Sequence, residues 1–174
     1  MKKLVSTLAL TFALAACVDT TGISAESSRP AIGNPNSSVV VAEFADLQCP
    51  ACRAAHSSII KPMLEKYGNQ IRYEFHHFPL RSAHRYAVDL AEAAECAADQ
   101  GKFKEFMDLD YEKQPELKKG TIEEWAKSLG LDMDLFGRCT ASHIKRDLIL
   151  KEYDRYESNL SKITTELYAQ FFSF

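Results

Sequence analysis

Two thiols three positions apart, in Cys49-Pro50-Ala51-Cys52, carry the chemistry that this chain's residues most directly suggest. Such a pair can make and break a disulfide, provided that one sulfur reacts as a reachable thiolate. The flanking residues place it. Val39-Val40-Val41-Ala42-Glu43-Phe44 comes before it, a β-branched and aromatic run without clean alternation, which predicts a central strand buried on both faces. After it, Ala55, His56, Ile59, Ile60, Met63, Leu64 and Tyr67 recur at helical spacing up to Gly68, a helix stop. The thiols therefore fall at a helix N-terminus, whose free N–H groups and partial positive charge favour an anion. Cys49 is the candidate nucleophile, and Cys52, about one turn further in, is the thiol that resolves a mixed disulfide. Pro50 suits the first turn, where its missing N–H would have had no partner.

Other uses of the pair are weaker. A Cys-x-x-Cys is half of a zinc ribbon, but Cys96 and Cys139 stand alone in separate helical segments. His76 and His77, adjacent in a strand, would point to opposite faces. No metal and no cofactor is expected beyond a redox-active Cys49–Cys52 disulfide. A purely structural bridge there would close too small a loop to constrain the unfolded chain much.

The elements that must hold the motif follow in order. Ile71 to Phe75 reads as a second strand closed by Pro79, so strand, helix and strand form a βαβ unit with a parallel pair. Pro62 should kink the intervening helix. Helical segments come next: an Ala-rich one from His84 to Gln100, one marked by Phe103, Phe106 and Met107, one opened by a Thr121/Glu124 capping box and stopped by Gly130, a turn or two from Leu131 to Cys139, and a longer amphipathic one through Ile144, Leu148, Glu152 and Tyr156. Ser161 to Phe174 alternates like a strand at Leu167, Ala169 and Phe171, and equally extends the preceding helix.

With 174 residues and 46% apolar composition, one domain with a real core is expected, and a net charge of −3 with scattered Lys and Arg argues against a nucleic-acid partner. Residues 1–16 read as an export signal, two lysines followed by an apolar run too short for a stable membrane span. Its end, Leu14-Ala15-Ala16-Cys17, resembles a lipobox, with Cys17 the acylated residue that anchors the chain to a membrane. The alternative is a plain signal cut later, perhaps after Ala25, with Cys17 lost. Removing residues 1–16 takes away Lys2 and Lys3 and no acid, moving the charge from −3 to −5. Both routes lead to a compartment that permits disulfides. Residues 17–38, rich in Ser, Thr, Gly, Asn and Pro, read as a tether.

Taken together, Glu43-Phe44-Ala45-Asp46-Leu47-Gln48-Cys49-Pro50-Ala51-Cys52, the kinked helix, Phe78-Pro79-Leu80, His84 and the Ala-rich helix resemble the DsbA-like branch of the thioredoxin superfamily, from about Val39 to about Tyr156. The resemblance implies an α/β thioredoxin-like fold over 39–174 with a helical insert at about 83–145. It implies thiol–disulfide exchange on cysteine-containing envelope proteins, with a redox partner to recycle the motif. It gives Cys49 and Cys52 the nucleophilic and resolving roles and makes Glu43 a buried acid that relays the proton of Cys52; otherwise Glu43 is a surface carboxylate. Asp46, near the motif, reads as solvated. Ala51 stands where strongly oxidising members have histidine, implying a less oxidising couple. The resemblance also implies a Cys96–Cys139 disulfide within the insert, the alternative being two buried inert thiols.

The C-terminus departs from that pattern. No proline follows Pro115 and the last 37 residues hold no Gly or Pro, so the family's cis-proline loop, later strands and closing helix are expected to be incomplete, as in a truncated or frame-shifted product. Two rival readings follow: an inactive remnant serving as an interaction module, and a thiol-based metal carrier.

Overall fold

A computed structural model describes residues 18–172, with side chains through residue 159; Cys17 and the signal segment lie outside the described residues. Strand β2 (Val40–Ala45) enters the motif, and β3 (Arg72–His77) runs parallel beside it, Val40 opposite Arg72 through Ala45 opposite His77. A two-residue strand, β1 (Ile32–Gly33), pairs antiparallel with the other side of β3, giving the order β1-β3-β2.

This order corrects the expectation for β2. Among the described residues β3 is the central strand and β2 lies at an edge, with Val40 and Phe44 exposed by 44% and 42%. β-Branched and aromatic residues report fitness for a pleated strand whether one face or both are covered. In β3 the alternation is complete: Tyr73, Phe75 and His77 are buried, and Arg72, Glu74 and His76 half-buried.

The tether expected over residues 17–38 is also corrected, since its described part packs on the domain. Gly33, at φ +92°, completes β1 where a Cβ would meet the carbonyl oxygens of Gly68 and Ile71 at 2.6 Å. Arg29 reaches Glu95 at 2.8 Å and Glu152 at 3.0 Å, and Lys145 donates to the Glu26 carbonyl at 2.7 Å. A polar composition concealed these anchors because each partner lies far along the chain.

Between β2 and β3 the chain forms α1 (Pro50–Ala55), a π turn (His56–Ile60) and α2 (Lys61–Tyr67). The kink expected at Pro62 takes the form of that wider turn, which ends two residues before the proline, a residue with no N–H to offer. Helix α3 (Ala87–Ala98) begins three residues later than its Ala-rich pattern, because His84 is held by Asp46 and the Tyr86 N–H by Gln48. It packs against α4 (Phe103–Lys113), α5 (Thr121–Ser128), α6 (Met133–Ser142) and α7 (Arg146–Phe172). Its fully covered Ala93, Ala94 and Ala97 are small enough to let those neighbours close in on Leu90, Phe106 and Met107. The capping box is not formed: Gly120 precedes α5 and Thr121 Oγ1 accepts from Lys118 N, because Thr121 is already inside the helix. The strand-like alternation at the end resolves as helix, α7 continuing to Phe172. Among the described residues no helix is long and apolar enough to cross a membrane.

Candidate active site

Cys49 is the N-cap of α1, in extended conformation, and Pro50 takes the first helical position. The Cys49 N–H donates to Asp46 O at 3.0 Å, and its carbonyl accepts from Arg53 N at 3.0 Å and from Gln114 Nε2 at 3.2 Å. Gln114 also donates to Leu47 O at 2.7 Å, so the end of α4 grips the motif turn by two carbonyls. Arg53 Nε, on α1, returns a bond to Tyr111 O at 2.9 Å. Helix α4, from the insert, is thus the mould in which the motif is cast.

Both motif thiols are half-buried and unbridged. Burial pushes the Cys52 thiol up to about 12; a backbone hydrogen bond from Asp46 opposes the rise, and the Cys49 thiol and Asp46 carboxylate add to it. Cys52 therefore holds its proton across the neutral range, and any reaction that releases it as a thiolate must be matched by a proton.

Glu43 lies half-buried on β2 and accepts a hydrogen bond from the Tyr73 hydroxyl of β3. Burial raises the Glu43 carboxyl, against the Tyr73 bond and the His56 charge, which lower it. The Tyr73 phenol, pushed far up by burial and by Glu43, remains a donor. Glu43 is not a solvated surface carboxylate.

Asp46 differs most from its expected surroundings. It is 3% exposed and accepts from Gln48 N at 2.7 Å, Leu80 N at 2.8 Å and His84 Nδ1 at 2.7 Å. One carboxylate thereby ties the motif turn to Phe78-Pro79-Leu80 and to His84. Only the Gln48 bond is local; the others span more than 30 residues.

Several residues near the motif carried little signal in the sequence. His56, one turn beyond Cys52, is buried, packs its ring at a tilt against Tyr111 with centroids 4.7 Å apart and bonds Asp108 at 2.9 Å. The i+4 spacing from Cys52 was the available clue. Asp110 sits in the apolar stripe of Phe103, Phe106 and Met107, and a carboxylate on such a stripe was the signal that could have found it.

Cys96 and Cys139 are brought together as a disulfide between α3 and α6, with Cα atoms 5.9 Å apart, and both are buried. His76 and His77 point to opposite faces: His76 bonds Glu152 at 2.7 Å and His77 lies 3.1 Å from Glu95. Among the described residues no group of three or more His, Cys, Asp or Glu is arranged to hold a metal ion.

Residues 25–164 match the family model described as Thioredoxin. A stretch of 98 residues is 42% identical to part of the Na(+)/H(+) antiporter NhaA 3 of Salinispora tropica, covering 56% of this chain and 15% of the antiporter. The chain thus corresponds to about 15% of the length of that curated relative. Among solved structures, alpha-DsbA1 of Wolbachia pipientis superposes with a TM-score of 0.67 at 21% identity, over 75% of this chain and 68% of that one. A thioredoxin-like oxidoreductase from Silicibacter pomeroyi superposes with a TM-score of 0.64 at 22% identity, over 76% and 75%.

Proposed function

The chain belongs to the thioredoxin family and has the DsbA-like form of its fold, and from that premise we propose that it is a thiol–disulfide oxidoreductase acting through Cys49 and Cys52. Its substrates are cysteine-containing proteins of the bacterial cell envelope, where Cys17 tethers it by lipid and a redox partner resets the motif. The observation that carries this reading is the inequality of the two thiols: Cys49 caps a helix N-terminus, while Cys52 lies one turn in with its thiol at about 12.

In the oxidising direction a substrate thiolate attacks Cys49 Sγ. The Cys49–Cys52 bond breaks, and Cys52 leaves with the electron pair and takes a proton. A second substrate thiolate then attacks the mixed disulfide and expels Cys49 as a thiolate. The substrate has lost two electrons and gained a disulfide; the motif has gained both electrons. Reduction runs the same steps backwards. Glu43, with its carboxyl raised by burial, is the carrier assigned to the Cys52 proton. Ala51 offers no imidazole to support the Cys49 thiolate, so the couple is less oxidising than one with histidine there.

Incubating the purified protein with a scrambled disulfide substrate tests the reading. Turnover that Cys49→Ser abolishes is the expected result. Equal and negligible rates for both proteins would replace the enzyme by a non-catalytic interaction module, and stoichiometric metal held by Cys49 and Cys52 would replace it by a metal carrier.

A further inference from the structure

Asp110 is completely buried, at 0% exposure, and neither carboxyl oxygen has a hydrogen-bond partner among the described residues. A buried carboxyl without a donor is costly, and folded proteins seldom keep one without a use. Its place is specific. Asp110 stands one turn before Gln114 on α4, and Gln114 holds the carbonyls of Leu47 and Cys49. The next residue, Tyr111, receives Arg53 Nε on its carbonyl and has a buried hydroxyl that is likewise unpartnered. The carboxyl therefore lies on the part of α4 that moulds the motif.

We infer that Asp110 is a positioning residue of the thiol site, whose unpaired carboxyl beneath the motif turn sets, through Asp46, how readily the motif thiols lose their protons. This inference rests on the exchange reading above and assigns that site a second acid besides Glu43.

The surrounding charges support it. Burial and the negative charge of Asp46 both push the Asp110 carboxyl well up, so it keeps its proton where ordinary carboxyls are ionised. Asp46 in turn raises Cys52. From the sheet come Glu43 and Tyr73, and from the motif helix Cys52; all act on Tyr111 beside Asp110. Arg53 is engaged with the Tyr111 carbonyl, His84 with Asp46, and His56 with Asp108. While Asp110 is neutral the motif faces Asp46 and Glu43. Once Asp110 ionises, its charge adds to that of Asp46, which already opposes the Cys52 thiolate.

The experiment is the pH dependence of Cys49 alkylation by iodoacetamide in the reduced full chain, for wild type, Asp110→Asn and Asp110→Leu, with thermal unfolding of each. Neither variant breaks a hydrogen bond, so both fold with a midpoint no lower than wild type. The wild-type profile should rise shallowly, because thiol and carboxyl ionisation oppose each other. Both variants should give a steeper, single-ionisation profile and alkylate about three- to tenfold faster on its alkaline side. Superimposable profiles in all three proteins would overturn the inference, whatever the unfolding midpoints, as would a lower midpoint with an unchanged profile. Alkylation requires no turnover, so the result stands apart from the exchange assay: inert wild type in that assay removes the exchange reading, while active wild type with superimposable profiles removes only the role of Asp110.

Discussion

Two carboxyls in this protein are equally buried and behave in opposite ways. Glu95, on α3, accepts from Arg29 at 2.8 Å and Ser27 at 2.7 Å and faces His77 at 3.1 Å. Burial alone would raise it, but the His77 bond and charge, with Arg29 and Ser27, hold it at about 2. Asp110 has the same 0% exposure and no donor among the described residues, and goes well up. Burial does not decide the fate of a charge; its partners do. The paired region also contains the Lys145–Asp99 ion pair and the Cys96–Cys139 bridge, and it fastens the N-terminal segment to the helices. The unpaired region adjoins Gln114, which holds the motif turn by the carbonyls of Leu47 and Cys49. The paired region is built to hold, and the unpaired one is left able to take up and release protons.

The strongest way to break this comparison is to unpair the paired region. Glu95→Leu leaves the buried His77 without its anion and Arg29 with Glu152 alone, and should cost about 3–5 kcal/mol in a urea unfolding titration. A loss within about 0.5 kcal/mol, the range of ordinary surface substitutions, would erase the distinction. The same carboxylate gives an acid signature. Its folded value of about 2 lies below the ordinary 4.5, so its contribution is complete above about pH 4.5 and is lost as pH falls towards 2. That loss is on the order of 3 kcal/mol and should vanish from the stability–pH curve of the variant.

Removing the bridge is the next largest change. Cys96 and Cys139 are separated by 43 positions, and replacing both by Ala should lower stability by about 2–4 kcal/mol while leaving Cys49 alkylation in the folded protein unchanged. Altered alkylation would mean that the two regions are coupled.

At the motif, Glu43→Gln should slow exchange about 100-fold with stability nearly unchanged, since it removes a proton carrier and keeps an acceptor for Tyr73. Equal rates would move the proton role elsewhere. The smallest effect is expected from Ala51→His, which should shift the equilibrium with glutathione about tenfold towards a more oxidising couple, roughly 30 mV. An unchanged equilibrium would detach position 51 from the potential.

What could be read from the residues alone divides along the same line. The motif, its helix, the parallel partner strand and the order of the helical segments were legible because each is a local pattern: a spacing, a period or a stop residue. The edge position of β2 was not, since Val39 to Phe44 carries the same residue types whether one face is covered or two. Arg29 looked like part of a tether because its partners, Glu95 and Glu152, lie 66 and 123 positions away. Asp46 looked solvated for the same reason, its donors at Leu80 and His84 being supplied only by the folded chain. Asp110 was detectable as a misplaced polar residue on an apolar stripe, but its lack of a partner is a property of packing.

Trapping tests the central claim, that the unpaired region performs the chemistry, most directly. The Cys52→Ser protein, incubated with a disulfide-containing peptide, should accumulate a mixed disulfide at Cys49 approaching one peptide per chain, located by peptide mass mapping, with Cys96 and Cys139 still joined to each other. Failure to form an adduct at Cys49, or peptide attached at Cys96 or Cys139 instead, would contradict it.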